Sequence, residues 1–226
     1  MAMSQNLSTS TYTLKQFKAN VLNKTGKLST SDMKLIKPQF DSLVHDSILT
    51  IRTLMGSSLD NFYTTKVALA STSLTAGFGT ATIAVKSLSD PNKIKLYDPT
   101  LGTIPVLSAD EFNNHRRDYS TTDVGTLSGI AMLLVTSATA DTAPYILNVA
   151  FYTGAASPLT TVEMYYPRNP IKVTTEIDSL DIPDGLIPIA EDMTALTIMK
   201  KIDSKLSGGL EERVTTFIKF YTGLKG

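Results

Sequence analysis

No cysteine occurs anywhere in the 226-residue sequence, and histidine occurs only twice. The first absence excludes disulfide scaffolds, thiolate nucleophiles, zinc ribbons and iron–sulfur sites together. The second leaves little material for acid–base chemistry. Net charge is lacking as well: 21 Lys plus Arg balance 21 Asp plus Glu, so no global field draws in nucleic acid or an anionic membrane. No run approaches the ~18 apolar residues of a membrane helix. The amino-terminal stretch MAMSQNLSTSTYTLKQF has no apolar core of the kind a secretion signal carries. The expectation is a protein made in the cytoplasm, with no membrane partner. The triplets at Asn6 and Asn23 match a glycosylation acceptor, which has no meaning without secretion.

What is present is the composition of an ordinary globular protein, 42% apolar and 19% charged. A chain of this length buries roughly 70% of its unfolded surface and needs no metal or cross-link to fold. Leu14, Phe17 and Val21 recur at helical spacing and predict a short helix over 14–22, which NKTGKLSTSD then breaks. After Pro38, the residues Phe40, Leu43, Val44, Ser47, Ile48, Ile51, Leu54 and Met55 share one helical face, and Gly56 is placed to end it.

From Tyr63 to Tyr166 the texture becomes Thr, Val, Ile, Tyr and Ala in short runs between turn residues. YTTKVALA, TATIAVKSL, KIKLYD, TIPVL, AMLLVTS, YILNVAFY and TTVEMYY read as strands of an antiparallel sheet or small sandwich, with SADEFNNHRRDYS helical or irregular between them. Helical spacing returns at Leu186, Ile189, Met193, Leu196, Met199, Ile202 and Leu206. Pro188 fits only in the first turn of such a helix, which therefore begins near Leu186 or Ile187. SGG at 207–209 interrupts, and Leu210, Val214, Phe217, Ile218 and Tyr221 predict a last helix ending at Gly223. The fold class expected is α+β: helices of 1–60 and 171–226 packed as a small bundle, with a β-rich lobe over 61–170 inserted between them.

The candidate chemistry is thin. His45 has Asp41 one helical turn before it, an orienting pair without a nucleophile; a boundary histidine or surface ion pair is the simpler account. HRRDYS around His115 lacks the companion motifs of a kinase catalytic loop, leaving Arg116 and Arg117 as an anion or carboxylate clamp, or as solvated turn residues. GFGTAT at 77–82 lacks the third glycine of a dinucleotide fingerprint and reads as a hairpin. Residues 171–192 hold six carboxylates and one base, Lys172. Asp178, Asp181 and Asp184 lack calcium-loop spacing, so they read as linker acids, and the acids before the helix suit its macrodipole. No catalytic constellation, cofactor motif or metal motif emerges. A carboxylate-dependent hydrolase or a carbohydrate-binding domain, tested at Asp110 and Glu111, stands as the alternative from another class.

Four stretches in order carry a resemblance: LSADEFNNHRRDY, YILNVAFYTG, TTVEMYYPRNPIKVT and EIDSLDIPDGLIPIAEDMTALTIMKKI. Together, over residues 108–202, they resemble the head-to-tail adaptor proteins of tailed bacteriophages. In that family a Phe-bearing segment precedes a β-hairpin region, a strand closes on a Tyr pair near a proline, and an Ile-Pro-Asp lead-in opens a long helix. The chain departs from the pattern in lacking a proline-rich segment before the tyrosine strand and in adding Pro188. The resemblance implies a non-enzymatic virion protein at the head–tail junction, forming a closed ring of about twelve copies. Its partners would be its own copies, the portal protein, and tail or further neck proteins, with genomic DNA passing through unbound. Another phage tail or capsid-associated β-protein is the nearer alternative. Consecutive Met164, Tyr165 and Tyr166 cannot all face one side of a strand. These three, with Arg168, Arg116, Arg117, Phe217 and Tyr221, are therefore the expected subunit-contact residues.

Overall fold

The computed structural model describes residues 11–26, 28–69, 78–85, 87–99, 102–118, 130–136, 145–152, 162–202 and 208–223, and shows an α+β protein. Two compact units are present: one formed by 1–62 with 169–226, the other by 63–168.

The first unit is helical. Helix α1 (Leu14–Thr25) opens with a capping box between Thr13 and Gln16 and buries Leu14, Phe17 and Val21. Two further N–H groups of its first turn, which a helix leaves without internal partners, donate to the carbonyls of Asp178 and Glu176 at 3.0 and 2.9 Å. The acidic segment before the later helix therefore serves α1 through its backbone. Helix α2 (Thr30–Ile36) starts inside the stretch read as a loop; Ser29 and Asp32 form its capping box. A 3-10 turn at Lys37–Gln39 carries Pro38, and α3 (Phe40–Met55) follows. It buries Phe40, Leu43, Val44, Ser47, Ile48 and Ile51, and ends at Gly56, whose φ of 50° favours a residue without a Cβ.

Helix α5 (Ile187–Lys201) begins as Pro188 requires, and α6 (Gly208–Thr222) follows it. Two expectations are corrected here. SGG does not separate the helices as a whole, because Gly208 and Gly209 lie in the first turn of α6. And α5 is not amphipathic: Ile187, Ala190, Glu191, Asp192, Met193, Thr194, Ala195, Leu196, Ile198 and Met199 are all buried. It is the central helix of the unit, touched by α1, α3 and α6. Where α5 meets α3, Thr194 Oγ1 lies 2.9 Å from Ser47 Oγ and 2.8 Å from the Ala190 carbonyl. The single hydroxyl proton of Thr194 serves one of these at a time, while Ser47 donates to the Leu43 carbonyl at 2.9 Å.

The second unit is a sandwich of two four-stranded sheets. Its strands are β1 (Thr64–Ala68), β2 (Phe78–Val85), β3 (Lys95–Asp98), β4 (Gly102–Ile104), β5 (Val106–Leu107), β6 (Ile130–Thr136), β7 (Tyr145–Tyr152) and β8 (Glu163–Pro167). One sheet runs β1-β8-β3-β4 and the other β2-β7-β6-β5. All pairings are antiparallel except β5 with β6. Because β1 and β2 belong to different sheets, GFGTAT is not the turn of a hairpin between them; Phe78 to Thr82 lie within β2 and pair with β7. The run TIPVL likewise splits at Pro105, its two halves joining different sheets. Leu96, Ile104, Met164 and Tyr166 from one sheet and Val85, Ala131, Leu147 and Val149 from the other form one core. Between β5 and β6, α4 (Ala109–Asp118) lays Phe112 against Ala150, Leu107 and Met132.

Met164, fully buried on the inner strand β8, has no room to be replaced by solvent. Met164→Ala is expected to destabilise the strand unit by about 2–5 kcal/mol through lost burial plus a residual cavity. Chemical denaturation followed by circular dichroism checks this, and an unchanged midpoint would contradict the packing described.

Candidate functional site

On one side of α5, two adjacent carboxylates lie inside the helical unit, each side chain only 6% exposed. An isolated buried carboxylate costs several kcal/mol in lost hydration and persists only when paired and hydrogen-bonded. Lys24 of α1 supplies a charge to both, with Nζ 2.9 Å from Glu191 Oε2 and 2.7 Å from Asp192 Oδ1. Arg213 of α6 donates Nε to Asp192 Oδ2 at 2.7 Å. The Tyr12 hydroxyl donates to Glu191 Oε1 at 2.7 Å, and Asn20 donates to the same oxygen at 3.1 Å as well as to the Tyr12 hydroxyl. Both carboxylates are thus answered on both oxygens.

The charges respond to this setting. Burial pulls the Asp192 pKa up, but the hydrogen bonds and charges of Arg213 and Lys24 outweigh it and hold the carboxyl below its ordinary range. Burial, followed by the hydrogen bond to Glu191, pushes the Tyr12 hydroxyl up to about 12. The partners of Asp192 favour its carboxylate and those of Tyr12 favour its protonated hydroxyl, which suits a structural clasp. The expectation that the acids of 171–192 serve the macrodipole of the following helix is therefore corrected for Glu191 and Asp192, which are buried in ion pairs. The reading of Asp178, Asp181 and Asp184 as linker acids meets one exception: it is corrected in part for Asp181, whose carboxylate accepts the Ile171 N–H at 2.7 Å.

The clasp fixes the face of α6 that holds Arg213. Beside that residue, Thr216, Phe217, Phe220 and Tyr221 line a shallow concave patch with Ile189 of α5. Ring centroids are 4.8 Å apart for Phe217–Tyr221 and 4.9 Å for Phe220–Tyr221, within the range of favourable aromatic pairs. Phe220 is 74% exposed. Tyr221 is the ring that contacts both others, and Phe220 stands open at the edge of the cluster, which makes this patch the candidate contact surface.

The expected contact residues fall into five groups. Phe217 and Tyr221 lie in the aromatic patch, and Phe220 joins them. Its signal was available in the sequence: it sits off the stripe of Leu210, Val214, Phe217, Ile218 and Tyr221, where a charged residue would be ordinary. Met164 and Tyr166 are corrected; both point into the strand core and offer nothing to a partner. Tyr165 alone of that trio faces outward, donating to Glu163 at 2.8 Å beside Lys66. Arg168 packs its guanidinium over the Tyr63 ring. Arg116 and Arg117 are in α4, with side chains outside those described.

Asp41 pairs with Lys18 at 2.6 Å and not with His45. His45 Nδ1 is buried without a hydrogen-bond partner, and burial lowers its pKa. Glu111 accepts from Ser108 at 2.7 Å as part of the α4 cap, and Asp110 is exposed on the first turn. Among the described residues no group of His, Cys, Asp and Glu is placed to hold a metal ion, and no helix is long and apolar enough to cross a membrane. No protein-family model matches the chain, and no curated protein is similar to it.

The depressed Asp192 carboxyl yields a pH dependence. A folded-state pKa below the unfolded one stabilises the fold fully above the unfolded carboxylate range of about 4, and the contribution disappears as pH falls through the folded value. Asp192→Asn is expected to lower stability at neutral pH and to flatten the loss of stability below about pH 4. Thermal unfolding across a pH series would contradict this if both proteins lost stability in parallel.

Proposed function

We propose that this chain is a structural virion protein, a subunit of an oligomeric ring that joins the portal to the tail in a tailed bacteriophage. The observation that carries an interaction role is the open aromatic cluster of Phe217, Phe220 and Tyr221, on a helix tied by the exposed Arg213 to the buried Asp192 carboxylate. A rigid helix presenting aromatic anchors is the arrangement by which protein partners are gripped, since aromatic side chains give large contact areas at small entropic cost. The particular assembly comes from the resemblance over residues 108–202.

In this reading the protein works by fit, not by reaction. Its partners are copies of itself, the portal protein, and tail or further neck proteins. Genomic DNA passes without being held, which the balanced charge of the chain favours: a strongly basic lumen would retain phosphate.

Two measurements test the proposal. Immunogold electron microscopy with an antibody against this chain is expected to label the head–tail junction of phage particles. Gold confined to the tail or capsid would overturn the adaptor role, and absence of the chain from purified particles would overturn the virion role. Phe220→Ser, at an exposed position, is expected to leave the fold unchanged by circular dichroism and to remove the protein from purified particles on a gel. Normal incorporation would show that the aromatic cluster is not the contact.

A further inference from the structure

Among the described residues of the helical unit, Leu35, Ile171, Ile177 and Phe220 are the large apolar side chains left exposed. Ile177 is the most open, at 78%, and it is not on a loose segment. It tops a turn in which the Asp178 N–H donates to the Thr175 carbonyl at 3.0 Å. The carbonyls of Glu176 and Asp178 take first-turn N–H groups of α1, and the Leu180 N–H donates to the Tyr12 carbonyl at 3.0 Å. A held turn thus presents isoleucine between two exposed carboxylates, Glu176 and Asp178. Lys18 reaches Glu176 at 3.6 Å but sits closer to Asp41, at 2.6 Å. The two acids suit the amino-terminal end of α1, which accounts for them but not for the isoleucine between them.

A surface of the same design and opposite sign occurs on the same unit. Leu35, 53% exposed, lies in the last turn of α2, with Lys34 before it and Lys37 two residues after, both exposed. Its carbonyl accepts from Gln39 Nε2 at 3.0 Å, and Lys201 donates to Gln39 Oε1 at 2.6 Å, so a third cation borders the same place. We propose that the two surfaces meet between copies of this chain: Ile177 of one copy lies against Leu35 of the next, with Glu176 and Asp178 facing Lys34 and Lys37. An apolar centre rimmed by opposite charges is how a specific interface sets both its partner and its register. Like charges turn the acidic surface away from its own kind, and the basic surface likewise, so each finds its complement only in the other. Because the two surfaces differ, every copy that pairs through one keeps the other free. The contact is heterologous, and it propagates from copy to copy until rotation closes it into a ring.

This contact rests on the homo-oligomeric part of the proposed function, and its test uses purified protein, so it holds or fails apart from where antibody labels a particle. Sedimentation of the full chain over a concentration series is expected to show reversible association that grows past two copies and weakens as salt rises. One variant carries Lys34→Glu with Lys37→Glu, and a second carries Glu176→Lys with Asp178→Lys. All four residues are exposed, so both variants are expected to keep the wild-type circular dichroism. Each alone sets like charges across the contact and is expected to associate at least about tenfold more weakly. An equal mixture of the two restores opposite charges at every contact between unlike chains and is expected to recover association. A wild-type chain that stays monomeric overturns the proposal, and association that stops at two copies overturns its head-to-tail geometry. Association that either variant leaves intact would put the contact elsewhere. A mixture that stays dissociated would show that the two surfaces do not meet each other.

Discussion

Two carboxylates buried side by side on α5 set the terms for the rest of the helical unit. Glu191 and Asp192 can stay charged out of water only because Lys24 reaches them from α1 and Arg213 reaches Asp192 from α6. The remaining oxygen of Glu191 is answered by Tyr12 and Asn20. A purely apolar α5 could be packed by its neighbours in several registers at similar cost. Sliding α1 by one turn, about 5.4 Å, would instead leave Glu191 without its counter-charge, a loss far larger than a repacked methyl group. Sliding α6 would take Arg213 from Asp192 and leave that carboxylate to Lys24 alone. The clasp therefore acts as a registration device, and the aromatic patch inherits its position from it. Arg213 precedes Phe217 by one helical turn, so fixing the first aims the second.

The hydrogen bonds around α5 follow the same logic. Ser47 and Thr194 are buried hydroxyls where α3 meets α5: Ser47 donates to the carbonyl one turn back along its helix, and Thr194 donates either to Ser47 or to the carbonyl one turn back along its own. The segment from Glu176 to Leu180 adds backbone bonds to Tyr12, Leu14 and Lys15. With these contacts α5 and the residues leading into it are tied to α1, α3 and α6, although they are far from α1 and α3 in sequence.

Much of this fold was readable from residue spacing, and what was not readable has a common cause. The stripes Leu14-Phe17-Val21 and Phe40 to Ile51 lie on the buried faces of α1 and α3, and the first-turn proline placed the start of α5. The positions of the strands were legible from alternation and turn residues. Their partners were not, because pairing is decided by contacts between distant segments: β1 with β8, β2 with β7. The all-round burial of α5 was hidden by its own charged residues, since a carboxylate reads as exposed until its distant cations are known. Helix α2 was too short for periodicity, though Ser29 and Asp32 carried its capping box. For the candidate site, Phe217 and Tyr221 were legible as the apolar end of the last helix. Phe220, the most open of the three, was not singled out. Met164 and Tyr166 were misread because Tyr165 and Tyr166 are alike in sequence, and only the register of β8 turns the second, with Met164, onto the core face.

The ionic clasp holds α6, and with it the aromatic surface, against α5. Amide hydrogen exchange on the Asp192→Asn protein tests it directly, because exchange reports local opening segment by segment. Amides of α6 between Leu210 and Tyr221 are expected to lose protection while those of α3 between Leu43 and Ile51 keep theirs. Equal protection of α6 with and without the carboxylate would contradict it.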